Sequence, residues 1–248
     1  MAEALIGTSG YSYDHWSNGV FYPPRLPRSK WLEHYSQHFQ TVELNVTFYR
    51  LPQVKAFATW HEKTSDRFRF AVKGSRFITH IKRLTNLGDS LETLAQRLSH
   101  LKEKCSVVLW QLPPSMKVDL PRLDGFCKEA QKAIRHRQAF EFRNEAWFSS
   151  QVYDILREYN CALCLADWFE QDIREPVTAD FVYVRRHGPS GRYAGNYTRR
   201  HLRKDAGDML KWLEQGKDVY VYFNNDVGGY AVQNAKTLTS LIAVSRKL

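Results

Sequence analysis

The 248-residue sequence has no run of 18 apolar residues that could cross a bilayer, and no basic start followed by an apolar stretch, as in a signal peptide. No Gly-x-Gly-x-x-Gly motif follows a strand pattern, which argues against a doubly wound nucleotide-binding sheet. No Ser-, Gly- or Pro-rich linker and no internal repeat divides the chain. These absences predict one cytoplasmic domain, residues 1–248, that does not associate with a membrane.

Cysteine is scarce, with only Cys105, Cys127, Cys161 and Cys164. Cys161 and Cys164 have the spacing of a metal or redox motif. They fall within a strand pattern, however, where positions i and i+3 point to opposite faces. We therefore expect four buried, reduced cysteines, because free cysteine is among the most buried residue types.

Acidic residues are absent from two basic segments, Arg67–Arg83 with six cations and Arg185–Lys204 with seven. These 37 residues hold 13 of the 36 Lys and Arg, which leaves 23 cations against 26 acids in the rest of the chain. The whole net charge of +10 therefore comes from two short stretches. Such localisation predicts an anionic partner, nucleic acid included.

Strand and helix patterns alternate along the chain. Eight stretches have strand patterns: Leu5–Ser9, Thr41–Phe48, Phe68–Lys73, Ser106–Gln111, Gln138–Arg143, Cys161–Asp167, Phe181–His187 and Val219–Asn224. Helical patterns follow near Ser29–Phe39 and at Gln53–Lys63, Ser90–Lys102, Leu120–Arg135, Gln151–Tyr159, Thr198–Glu214 and Gly229–Ala243. This alternation predicts the α/β class, with a TIM-like (β/α)8 barrel in a single domain.

Apolar and polar side chains alternate within the strand patterns. In Gln138–Arg143, for example, Phe140 and Phe142 face one way while Glu141 and Arg143 face the other. The apolar set, which a barrel would turn toward its helices, comprises Val42, Leu44, Val46, Phe68, Phe70, Val72, Phe140, Phe142, Val182 and Val184. The residues that alternate with this apolar set are mostly polar, so they would give the barrel a polar interior.

Charges in that interior need partners, because an unpaired buried charge costs several kcal/mol. One interpretation is a salt-bridge lattice that holds the barrel together, with pairs such as Glu43 and Arg69. The other is a ligand site at the carboxyl ends of the strands, where barrel active sites are built. For that site the catalytic candidates are Glu43, Glu141, Asp167 and His187. The ligand-binding candidates are Ser9, Tyr11, Asn45, Lys73, Arg76, Gln111, Arg143, Arg185, Gly188, Arg192, Tyr193, Asn224 and Asn225.

The leading hypothesis is a protein that binds nucleic acid or another phosphate-containing ligand, with hydrolysis of a phosphodiester as its enzymatic form. Lys73, Arg143 and Arg185 would hold phosphate oxygens. Glu141 or Asp167 would be the general base, His187 the acid, and Glu43 would orient a neighbour. No cofactor is expected. A divalent metal on the four catalytic candidates ranks lower, because Lys and Arg at the same level would repel a cation.

Other functions stay open. The polar interior also suits a small-molecule enzyme or sensor for a carboxylate, a sugar or a sugar phosphate, and a non-catalytic nucleic-acid-binding module is a third alternative. The aromatic loop Gly10–Pro24 would be a lid or a stacking surface, or would simply pack against the barrel. Glycines such as Gly188 could let backbone N–H groups approach a phosphate.

Seven motifs occur in order along the chain: Gly7–Tyr11, Val42–Tyr49, Phe70–Lys73, Gln111–Pro114, Glu141–Arg143, Tyr183–Gly188 and Tyr222–Asp226. Together they resemble the YecE-like family, TIM-barrel-like proteins of unknown function. The resemblance implies the fold but no reaction. Two positions depart from the family pattern. Asn144 stands where many members have His, and Arg186 replaces a common apolar residue, which hints at extra basicity.

Overall fold

The computed structural model describes residues 2–168, 176–190 and 193–245. They include eight strands: β1 Ala4–Thr8, β2 Thr41–Leu44, β3 Arg69–Lys73, β4 Cys105–Gln111, β5 Arg137–Glu141, β6 Ala162–Ala166, β7 Phe181–Arg186 and β8 Asp218–Phe223. The strands follow the order β1-β8-β7-β6-β5-β4-β3-β2 in one sheet, and every pair with a described register is parallel. Parallel strands with helices between them confirm the predicted TIM-like (β/α)8 fold.

The helices of the described residues are α1 Trp31–Ser36, α2 Val46–Tyr49, α3 Val54–Glu62, α4 Ser90–Leu98, α5 Leu120–Ala133, α6 Ser150–Glu158, α7 Arg199–Glu214 and α8 Tyr230–Ser245. Three of them begin at a side-chain cap, because Asp119, Ser149 and Thr198 each accept a backbone N–H in the first turn of α5, α6 and α7. A π-helical turn, Phe77–Ile81, follows β3.

Contacts divide the described residues into two compact units. The first unit holds residues 2–43, 165–168 and the described part of 181–245, and its core includes the fully buried Trp16 and Tyr183. The second unit holds residues 44–164 and 176–180, around the fully buried Phe70 and Trp110. The four cysteines are buried thiols, as predicted. Among the described helices, none has both the length and the apolarity needed to cross a bilayer.

One strand is shorter than the sequence pattern predicts. The pattern Thr41–Phe48 stays apolar on alternate residues, yet β2 ends at Leu44 and α2 starts at Val46. The Thr47 hydroxyl donates to the carbonyl oxygens of Leu44 (3.0 Å) and Lys73 (2.6 Å), which holds the chain in the turn. The prediction that Val46 packs toward a helix is therefore wrong, since Val46 is 48% exposed.

Candidate functional site

Glu43 is the centre of a buried polar network in the first unit. It is fully buried at the end of β2, and its Oε2 accepts a hydrogen bond from the Tyr183 hydroxyl (2.6 Å). Its Oε1 accepts from Arg185 Nη2 (2.7 Å) and from the Ser9 hydroxyl, which also accepts from the same Nη2 (2.8 Å). Burial, and then the Glu43 charge, raise the pKa of Tyr183 well above its ordinary value. Both carboxylate oxygens of Glu43 are therefore used in positioning its neighbours.

Glu43 and Arg69 do not form the lattice pair that the sequence suggested. Arg69 lies at the start of β3, and its Nη1 donates to the backbone carbonyls of Asp66 (2.7 Å) and Phe68 (3.1 Å). The partner of Glu43 is Arg185, a residue 142 positions away along the chain.

Asp167 holds together the chain that follows β7. Its Oδ1 accepts the backbone N–H of His187 (2.6 Å), and its Oδ2 accepts the Tyr197 hydroxyl. The Tyr197 oxygen in turn accepts the backbone N–H of Gly188 (2.7 Å). Burial is the main cause of a raised pKa at Tyr197, and the Asp167 charge adds to it. The Gly188 N–H, which the sequence suggested as a donor to a phosphate, thus donates to an acceptor within the protein.

His187 is buried directly after β7. The side chain of Asn224 shows which of its two ring nitrogens accepts a hydrogen bond. Its Nδ1 lies 3.2 Å from Asn224 Nδ2. Because an amide nitrogen can only donate, Nδ1 is the acceptor and the proton of the neutral ring is on Nε2. The rings of Trp168 and Tyr193 both lie 5.5 Å from the imidazole and 6.0 Å from each other. Both are partly exposed, at 37% and 38%.

Trp168 was missed in the sequence analysis. It directly follows Asp167, which the sequence placed at the end of the sixth strand pattern, so its position at a strand end was the available signal.

Other candidates of the first unit have structural partners. Asn225 is fully buried, and its Nδ2 donates to the Gly195 carbonyl (2.8 Å) and to Asn234 Oδ1 (2.9 Å). Tyr11 is half-buried, and its carbonyl accepts the Tyr22 hydroxyl. The aromatic loop Gly10–Pro24 packs inward at Trp16, whose indole N–H donates to the carbonyl of Asp226 (2.8 Å). Arg192 lies outside the described residues.

Arg186 does not add free basicity. Its Nε donates to Asp205 Oδ2 (2.9 Å), while its Nη2 donates to the other carboxylate oxygen. The expectation of extra positive charge at this position is wrong, because an acid on α7 neutralises it.

The start of α7 is strongly basic. Arg199, Arg200 and Arg203 are all exposed, and no acid lies within ion-pair distance of them among the described residues. The exposed His201 accompanies them. Cations at a helix N-terminus oppose the macrodipole, at a typical cost of about 0.3–1 kcal/mol each.

In the second unit, Glu141 and Arg143 form an ion pair at the end of β5. Their side chains are 0% and 2% exposed. Gln111 is half-buried at the end of β4, in register with Glu141. Asn45 is half-buried just before α2, and no described residue is a hydrogen-bond partner of its buried Oδ1. These positions fit the polar strand ends that the sequence predicted.

Lys73 begins a cationic cluster that continues into the π-helical turn. Its Nζ lies 4.2 Å from the centre of the Phe48 ring, and the Phe48 ring lies 5.0 Å from the His80 ring. Burial is the main cause that lowers the pKa of His80 to about 4, and the charges of Lys73, Arg76 and Arg83 lower it further.

We expect His80 to titrate near pH 4 in the folded protein, against 6.5 for an ordinary histidine. As the pH falls, His80 of the unfolded chain is therefore protonated before His80 of the folded protein. This difference lowers the free energy of unfolding between pH 6.5 and pH 4. Imidazole chemical shifts followed by NMR between pH 3 and pH 8 measure the midpoint. An Arg76→Ala/Arg83→Ala variant is expected to raise it. A midpoint near 6.5 in both proteins would contradict the cluster.

Metal ligands are not grouped in the described residues. Within 2–168, 176–190 and 193–245, no three His, Cys, Asp or Glu side chains lie together as a metal ion would require. Glu43 and Asp167, two of the candidates for the metal-dependent alternative, instead use both of their carboxylate oxygens in hydrogen bonds within the protein.

Comparison with known proteins identifies the family. A model for the protein family of unknown function DUF72 matches residues 5–248. UPF0759 protein YunF of Bacillus subtilis is 29% identical over 275 residues, with 96% of this chain and 94% of YunF covered. UPF0759 protein YecE of Escherichia coli is 34% identical over 111 residues, 42% of this chain and 41% of YecE. The crystal structure of a DUF72 family protein from Thermotoga maritima is 27% identical, with a TM-score of 0.87 and coverage of 97% and 99%. The resemblance to YecE-like proteins is confirmed, and the chain belongs to the DUF72 family.

Proposed function

We propose that this protein binds nucleic acid through the phosphate backbone. The observation that carries the proposal is the basic start of α7, where Arg199, Arg200 and Arg203 are exposed and no described acid pairs with them. The helix macrodipole disfavours these cations, and a polyanion would offset that cost by occupying the same place. Lys and Arg that neutralise phosphates release counterions, which makes such binding strong at low salt.

The second basic segment supports the same ligand. Arg76 and Arg83 are exposed, Lys82 is half-buried, and no acid among the described residues pairs with any of the three. Arg83 Nη2 donates to the Ser115 hydroxyl (3.2 Å), which leaves further guanidinium donors. An acid-free group of cations on a surface suits a ligand with several negative charges better than a single carboxylate.

His187 gives the ligand a directed hydrogen-bond donor. With its Nδ1 accepting from Asn224, the neutral imidazole has its proton on Nε2, and we assign the contact with a phosphate oxygen to that atom. The partly exposed rings of Trp168 and Tyr193 beside it offer flat apolar surface to a base or a sugar. Contacts of Lys73 and Arg143 with phosphate remain part of the proposal, whereas Arg185, fully buried and paired with Glu43, is given a structural role.

The proposal extends to hydrolysis of the bound phosphodiester. The structure changes the roles that we give to the candidate catalytic residues. Asp167 and Glu43 already accept hydrogen bonds on both carboxylate oxygens, so we give them positioning roles. Glu141 then remains the candidate base. A Glu141→Gln variant that leaves nuclease activity unchanged would remove Glu141 from the mechanism.

The binding proposal predicts a steep salt dependence that depends on α7. In fluorescence anisotropy with labelled DNA and RNA at 50 to 300 mM salt, an Arg199→Ala/Arg200→Ala/Arg203→Ala variant should lose about 10-fold or more in affinity at low salt. Its slope of log K against log salt should fall by about 2 to 3, since each lost phosphate contact contributes about 0.9.

The matched control removes three exposed lysines elsewhere, Lys117→Ala/Lys128→Ala/Lys132→Ala. This variant loses the same three positive charges as the α7 variant. We expect it to keep most of the affinity and most of the slope of log K against log salt. Equal losses in both variants would mean that only net charge matters. No binding of any nucleic acid at 50 mM salt would overturn the proposal and turn attention to a small anion.

A further inference from the structure

A second surface, on the second unit, combines exposed aromatic side chains with cations. The helix α2 and the π-helical turn Phe77–Ile81 adjoin at Phe48 and His80, whose rings are 5.0 Å apart. Four large apolar side chains of these two short elements are exposed: Val46 48%, Tyr49 71%, Phe77 43% and Ile81 63%. Exposed rings on neighbouring elements mark a contact surface more strongly than single scattered residues do.

Cations adjoin these apolar side chains along the chain. Arg50 and Arg76 are exposed and, like Lys82, have no acidic partner among the described residues. Lys82 Nζ lies 5.6 Å from the centre of the Phe77 ring, so cation and ring belong to one patch. Charge complementarity therefore selects a negatively charged occupant that also presents flat apolar faces.

We propose that unpaired bases of a single-stranded nucleic acid stack on Tyr49 and Phe77 while Arg50, Arg76 and Lys82 bind the phosphates on either side. This inference rests on the proposed function and narrows it to single strands. In a duplex the faces of the bases are already covered by their neighbours, so exposed rings gain nothing from it. Sequence-tolerant binders of single strands use this combination of stacking rings and a basic surface.

The π-helical turn fixes the position of the Phe77 ring. A π-helical turn widens the helix by one residue and is found frequently at functional sites. Here the side chains of Ile78 and Thr79 are buried, while Phe77 and Ile81 at its two ends point to solvent. The turn is thus anchored from within, which holds Phe77 and the flanking Arg76 and Lys82 at the surface before a ligand arrives.

His80 provides a reporter beneath this surface. Burial lowers the pKa of His80, and the charges of Lys73, Arg76 and Arg83 lower it further. A phosphate near these cations would partly cancel them, so the titration midpoint should rise when a single strand binds.

The test compares a labelled 20-nucleotide thymidine strand, an abasic strand with the same phosphates, and a 20-base-pair duplex by anisotropy. A Tyr49→Ala/Phe77→Ala variant should bind the thymidine strand about 10- to 100-fold more weakly and the duplex within about twofold of the parent. The parent should bind the abasic strand about as weakly as the variant binds thymidine. The control Val46→Ala/Ile81→Ala removes apolar area without removing a ring, and should change the affinity for thymidine by less than about threefold.

The outcomes separate this inference from the proposed function. If no strand binds, both fail. If the parent binds nucleic acid but the ring variant keeps its affinity for the thymidine strand, the stacking inference alone is overturned. A ring variant that loses binding to anionic phosphatidylserine vesicles, with its affinity for thymidine unchanged, would also overturn it and assign the surface to a membrane.

Discussion

Replacement of Glu43 by alanine is expected to lower the free energy of unfolding by about 3 to 5 kcal/mol. Glu43 is fully buried, and it is the acid that pairs with the equally buried Arg185. Removing the carboxylate leaves a guanidinium charge in the core, and it also takes the acceptor from the Tyr183 hydroxyl. The cost of a stranded buried charge exceeds that of most single substitutions.

Urea unfolding followed by far-ultraviolet circular dichroism measures this loss. Asp154→Ala is the control, because Asp154 also forms an arginine ion pair but is 71% exposed, and its loss should leave the unfolding midpoint nearly unchanged. A Glu43→Leu/Arg185→Met double variant should recover part of the stability, since it removes both charges. A Glu43→Ala protein as stable as the parent would show that the pair contributes nothing.

Substitution of Gly188 by alanine is the second large effect that we expect. The backbone φ of Gly188 is +109°, a conformation that costs a residue with a side chain about 1–3 kcal/mol. An added Cβ would also lie 2.1 Å from the carbonyl oxygen of Ala194, so the backbone must shift. That shift would pull the Gly188 N–H from Tyr197 and disturb the hydrogen bonds of Asp167 next to His187.

Gly216→Ala separates the two causes. Gly216 also has a positive φ, +79°, but no atom lies within 4 Å of an added Cβ. The Gly216→Ala variant should therefore lose only the stability that the strained backbone φ costs. The Gly188→Ala variant should lose more stability and should also change the fluorescence of Trp168. Equal losses in the two variants, with fluorescence unchanged, would contradict a tightly packed chain after β7.

The sequence was sufficient to place most of the elements. Seven of the eight strand patterns match strands to within two residues at each end, because period-two alternation is a local property that the chain displays without its neighbours. The exception is β2. Alternation continued past Leu44, whereas hydrogen bonds of Thr47 to Leu44 and Lys73 turn the chain into α2. The bond to Lys73 links residues 26 positions apart, which a local pattern does not reveal.

The candidate site was predicted as a set of residues but not as a set of partners. Glu43, Arg185, Asp167 and His187 all proved to be polar groups at or near strand ends, with the first two fully buried. The sequence suggested Arg69 as a partner for Glu43 and left Asp167 open as a base. Tertiary contacts paired Glu43 with Arg185 and fixed Asp167 by Tyr197 and the His187 backbone.

The sequence alone therefore determined the fold class, the family resemblance and the two acid-free basic segments, since these depend on residue order and composition. The tertiary structure decided which cations are neutralised, as Arg186 is by Asp205, and which stay exposed, as Arg199 and Arg200 do. It also brought Trp168 and Tyr193 to His187. The physical reason is range: a strand pattern is set by adjacent residues, whereas hydrogen bonds and ion pairs act over a few ångströms between residues that are far apart in the chain, such as Trp16 and Asp226, 210 positions apart.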